Sequence, residues 1–196
     1  MATIIEDGTG TGYAAKVDAT GRFAVEAVSK DEYNEATTRG ESYIVNSGYI
    51  TYTGDSTTSA VLFLKNIGDT DIALIRYNLS VKSVSSGVTE DYGRWVFYRN
   101  PSNMVSGTGT EINNNNLNFG SSNTLSIESE KGQNGASFNG GTAYGSPLSE
   151  IGKTTFIDAA ILIPKGSSLG ISFVTPPNNT SIQVAIGLNM YAVIED

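Results

Sequence analysis

The stretch "DIALIRYNLSVKSV", Asp71 to Val84, decides the fold class. Within it Leu74, Arg76, Asn78 and Ser80 alternate with Ile75, Tyr77, Leu79 and Val81. A period of two is that of a strand with one buried face, because successive side chains of extended backbone point to opposite sides. A helix would scatter those four polar-side positions around its axis.

The same pattern repeats on both sides. "YIVNSGYITYTG" (43–54), "SAVLFLKN" (59–66) and "RWVFYRN" (94–100) are rich in β-branched and aromatic residues and are bounded by Gly, Asn, Asp or Ser. Order of this kind returns in "TTFIDAAILIPKGSSLGISFV" (154–174) and "TSIQVAIGLNMYAVIED" (180–196), separated by a turn where Pro176 and Pro177 cannot donate to a ladder. Residues 100–153 are polar and glycine-rich, with only "NTLSIES" reading as a strand, and are expected to form long loops laid over the body. Eight to ten strands with long crossovers favour a jelly-roll-like two-sheet β-sandwich over a meander barrel.

At the front, "AVSKDEYNEATTRGES" is the one helical pattern. Ser29 and Glu32 have capping-box spacing, Val28 and Tyr33 are placed as a hydrophobic staple, and Gly40 suits the left-handed residue that ends a helix. Ahead of it "YAAKV" and "RFAVEAV" flank the turn Asp18-Ala19-Thr20-Gly21 like a hairpin. The division that follows is an N-terminal extended arm over 1–41 and a sandwich over 42–196. A chain of 196 residues is long enough for one such sandwich, which buries roughly 70% of the surface its unfolded chain would expose.

Composition excludes several kinds of chemistry. The chain has no cysteine and no histidine, so thiolate nucleophiles, disulfides, Cys/His zinc sites and histidine acid–base catalysis are all ruled out. Charged residues are 16% and the formal net charge is −8. The acidic excess lies in residues 1–46 and 104–196, and no Lys/Arg cluster forms the cationic track that binding to a phosphate backbone needs. Nucleic acid is not expected as a partner. No apolar run approaches a membrane span, and the opening MATIIEDG lacks the cationic-then-apolar pattern of a signal peptide.

Apparent motifs fail on spacing. "GTGTG" (8–12) is not G-x-G-x-x-G and precedes no helix, while the Walker-like "GKT" at 152–154 has Pro147 where its first glycine belongs. Asp69 with Asp71, and Glu90 with Asp91, are acidic pairs that read as solvated turn charges rather than as calcium ligands. No catalytic residue, cofactor or metal is expected. In "GRWVFYRN" a strand puts Trp95, Phe97 and Arg99 on one face and Arg94, Val96 and Tyr98 on the other. The first face belongs in a core; Arg94, Val96 and Tyr98 are the candidate subunit interface.

Three stretches together resemble a family of tailed-phage virion proteins, the head decoration or cement proteins. They are "TGYAAKVDATGRFAVEAVSKDEYNEATTRGESYIVNSGYITYT", "YRNP" at 98–101, and "ILIPKGSSLGISFVTPPNNTSIQVAIGLNMYAVIED". The resemblance implies a homotrimer, made in the host cytoplasm, that sits on the capsid exterior and binds the major capsid protein. A lone hairpin is marginal in water, so on this reading Tyr13, Lys16, Val17, Arg22, Phe23 and Val25 form a capsid-binding arm completed by an edge strand of another polypeptide. Two alternatives stand beside it: a tail-side or fibre-base virion component, and a carbohydrate-binding sandwich presenting Trp95 or tyrosines to sugars.

Overall fold

The computed structural model describes residues 32–53, 57–84, 92–105, 107–177 and 181–193. The arm residues Tyr13, Lys16, Val17, Arg22, Phe23 and Val25 lie outside this range, as do Ser29 and Val28 of the expected helix start. Among the described residues one helix, α1 (Glu32–Arg39), precedes thirteen strands: β1 (Ser42–Asn46), β2 (Ile50–Tyr52), β3 (Thr58–Asn66), β4 (Ile72–Ser83), β5 (Tyr92–Met104), β6 (Thr110–Glu111), β7 (Asn114–Asn116), β8 (Ile127–Lys131), β9 (Phe138–Gly145), β10 (Leu148–Glu150), β11 (Thr154–Ile163), β12 (Ser168–Val174) and β13 (Ile182–Ala192).

All pairings are antiparallel and fall into two sheets. Sheet 1 runs β11-β4-β13-β1-β7, with β2 continuing the β1 edge of β13; sheet 2 runs β10-β5-β12-β3-β8-β6, with β9 sharing the β10 edge of β5. Setting the short strands aside, the chain crosses between sheets at β2–β3, β3–β4, β4–β5, β10–β11, β11–β12 and β12–β13. Neighbours in space are therefore distant in sequence, the mark of a jelly roll. The fold is the all-β, jelly-roll-like sandwich that the strand pattern predicts.

Its core lies between the sheets. Leu74, Leu79, Val81, Val184, Ile186 and Leu188 of sheet 1 meet Val61, Leu64, Trp95, Phe97, Ile171 and Phe173 of sheet 2. Trp95 and Phe173 pack edge to face at 5.1 Å, a favoured arrangement for aromatic pairs. Glycine makes room for this pair: a Cβ on Gly93 would stand 2.5 Å from Phe173 Cε2.

One detail of the alternation changes in the folded chain. Asn189 pairs with Arg76 and Met190 with Leu74, so Ile75 is an extra residue on β4. This β-bulge reverses the parity of the strand, and Leu74 joins Leu79 and Val81 in the core instead of sharing the outer face with Arg76. A bulge depends on the partner strand, and local periodicity does not reveal it.

Residues 100–153 differ more from expectation. They hold the end of β5 and all of β6 to β10, where only loops and one strand were expected. β7 adds to the free edge of β1, and β8 to that of β3. Backbone ladders do not require apolar side chains, and these strands are largely exposed, so their polar composition is compatible with pairing. The region also covers part of sheet 2: Met104, Ala136 and Phe138 enclose Ala60 and Phe63 in a second small core on its outer face.

Helix α1 ends as its sequence predicts. Gly40 has φ +76°, its N–H donates to Thr37 O at 3.1 Å, and Glu41 N–H donates to Ala36 O at 2.7 Å, the two bonds of a Schellman motif. The helix is joined to sheet 1: Tyr191 Oη bonds Glu32 Oε2 at 2.8 Å, and Asn118 Nδ2 donates to Thr38 O at 3.0 Å.

Candidate functional site

Strand β5 lies next to the edge of sheet 2, paired on one side with β12 and on the other with β9 and β10 in succession. Its inward aromatic residues, Trp95 and Phe97, are sealed. Trp95 is fully buried and its Nε1–H donates to Ser149 Oγ at 2.9 Å, while Ser146 Oγ donates to the Trp95 carbonyl at 2.9 Å. An indole held in this way has no face to offer a sugar, which removes Trp95 as a stacking platform.

Arg94, Val96 and Tyr98 stand on the outer face, as expected. Arg94 lies opposite Leu148 on β10 and Val174 on β12, Val96 opposite Ser172, and Tyr98 opposite Gly170 and Ala143. The structure divides them. Tyr98 is half-buried beneath Phe138, with ring centroids 5.6 Å apart. A Cβ on Gly170 would be 2.9 Å from both Phe138 and Pro101, so the missing side chain is what lets that cover close down. Tyr98 therefore belongs mainly to the local packing.

Arg94 and Val96 remain at the surface, and two residues missed by sequence reasoning join them. Tyr92 is 55% exposed and Leu148 58% exposed, on the same face of the same sheet corner. Tyr92 shares the parity of Arg94, a signal present in the sequence; Leu148 is placed there only by the pairing of β10 with β5. Among the described residues Arg94 has no ion-pair partner. Arginine and tyrosine are enriched where proteins meet, and here both stand beside an exposed leucine and a half-buried valine.

Several other charges are paired. Arg76 bridges to Asp158 at 2.7 Å across β4 and β11, and Lys153 to Glu150 at 2.7 Å. Lys165 hydrogen-bonds Asp69, holding that carboxyl below its ordinary pKa first by the bond and then by the charge, and its backbone N–H donates to Asp71 Oδ1. Asp69 and Asp71 thus serve the turn; Glu90 and Asp91 lie outside the described residues.

No family model matches the chain, and comparison with curated proteins finds no matching relative.

Proposed function

We propose that this chain is a non-catalytic virion component that binds the outer surface of a tailed-phage capsid shell and stabilises it, with residues 1–41 as the gripping arm. The resemblance of its two ends to decoration proteins suggests the class, and the jelly-roll-like sandwich is compatible with it. The observation that carries the reading is the patch of Tyr92, Arg94, Val96 and Leu148 at one sheet corner, whose guanidinium has no ion-pair partner among the described residues. Such a patch suits a seam between copies of the chain. A stable seam buries roughly 1,600 Å² in total, and several copies joined this way attach to a repeating shell with an avidity that no single arm provides.

The test has two parts. Quantitative mass spectrometry of purified virions should find the chain at a copy number comparable to that of the shell protein; a handful of copies at one vertex would make it a tail-side component instead. Native mass spectrometry of the isolated protein should show a trimer that the double variant Arg94→Glu, Leu148→Asp converts to a folded monomer. A wild-type chain that is monomeric and fails to sediment with undecorated shells overturns the reading.

A further inference from the structure

Where β11 leads through a turn into β12, a cleft of about 460 Å³ lies between these strands and residues of β5 and β9. Its size falls within the roughly 300–1,000 Å³ of small-molecule sites. The floor is apolar and buried, formed by Ile163 and Leu169; Ile161 and Pro164 make one wall, and Tyr144 and Leu162, each about half exposed, stand at the rim. Arg99 is the one charged side chain among the lining residues.

The cleft is built by irregular backbone on both sides. On sheet 1 the ladder of β11 with β4 breaks between Asp158 and Ile161. On sheet 2 Asn100 has φ +52°, the one residue other than glycine with positive φ among those described, and the β5–β9 register shifts between Pro101 and Asn103. Bulges re-aim side chains and concentrate beside binding sites. This one is held in place: Ser168 N–H donates to Asn100 Oδ1 at 3.1 Å, and Ser168 Oγ donates to the Pro101 carbonyl at 2.5 Å. Asn100 and Ser168 are therefore committed to the backbone. Arg99 shares the inward parity of Trp95 and Phe97, yet it is exposed and has no ion-pair partner among the described residues.

We infer that this cleft binds an anionic amphiphile, an apolar chain lying between Ile161, Ile163 and Leu169 with its carboxylate on the Arg99 guanidinium. The apolar floor requires a ligand body that gains by leaving water. The guanidinium selects the head group, because an anion is the one partner that gives it a charge-assisted, bidentate contact. The Tyr144 phenol at the rim is pushed up to about 12, first by burial and then by Tyr77. This inference concerns the middle of β5, at Arg99 on the face opposite to Tyr92 and Arg94, and stands independently of the capsid reading.

Isothermal titration with dodecanoate, dodecan-1-ol and dodecyltrimethylammonium, each below its micellisation threshold, tests it. Dodecanoate should bind saturably and most tightly, the cationic amphiphile most weakly. Arg99→Gln should weaken dodecanoate roughly tenfold, the loss of about one charge-assisted bond, and leave dodecan-1-ol unchanged. Ala160→Trp, a change at an exposed lining position, should block both ligands, while Lys82→Gln, remote on β4, should affect neither. Circular dichroism confirms that each variant folds. Absence of saturable dodecanoate binding, equal affinity for all three head groups, or indifference to Arg99→Gln or Ala160→Trp would overturn the proposal.

Discussion

Trp95 is the largest side chain that the sandwich buries completely, and its one polar atom is satisfied by a serine that shares its burial. Removing the acceptor leaves an indole N–H without a partner in a dry interior. Ser149→Ala is expected to cost about 1–3 kcal/mol, read as a lower urea midpoint at unchanged slope, whereas Ser146→Ala at the exposed neighbour should cost less. The aromatic residues of "RWVFYRN" were assignable to a buried and an outer face from alternation alone. The limits of that assignment also arise at single residues. Tyr98 is on the outer face, but Phe138, 40 residues away in sequence, covers it. Arg99 has core parity, but the cleft opens beside it. Parity assigns a direction, and what a side chain meets in that direction belongs to another part of the chain.

Among elements, α1 was the most legible, because helix capping is local chemistry within a few residues. Gly40 ends it with the left-handed backbone the sequence implies, and here tertiary structure adds a second constraint: a Cβ would lie 2.1 Å from Ser121 Oγ. Gly40→Ala should therefore destabilise by more than the roughly 1–2 kcal/mol of the backbone conformation alone. Gly48, also at positive φ (+63°), has no atom within 4 Å of the added Cβ, and Gly48→Ala should show only the backbone part. Thermal unfolding of the two variants side by side checks the difference. The strands of 100–153 were the least legible elements. Asn-rich β7 and Gly-rich β9 are strands because β1 and β5 present unpaired edges to them, a circumstance of the fold rather than of their own composition.

For the whole molecule, several buried or half-buried tyrosines set the response to alkali. Tyr52 is fully buried, its Oη donates to Ala60 O at 2.7 Å, and burial pushes its pKa above the ordinary value; Tyr77 is raised by burial, Tyr43 by burial and then by Glu41, and Tyr144 to about 12. A raised phenol pKa means that the folded state keeps its proton after the unfolded chain has lost it. The stabilisation is complete below the unfolded value of about 10 and falls as pH rises beyond it. Denaturation midpoints should be level up to that point and decline above it, and Tyr52→Phe should make the decline shallower; a profile flat through the alkaline range would contradict the burial of these groups.

The sequence alone determined the all-β class, the helix with its glycine stop, and the exclusion of histidine and cysteine chemistry, since each follows from residue type or from spacings within one element. Tertiary structure decided the reversal at Ile75, the strands of the polar region, the patch formed when Leu148 meets Arg94, and the cleft at Arg99. The physical reason is the same in all four: pairing between strands far apart in sequence determines which edges are free, where a ladder slips by a residue, and which surfaces come together.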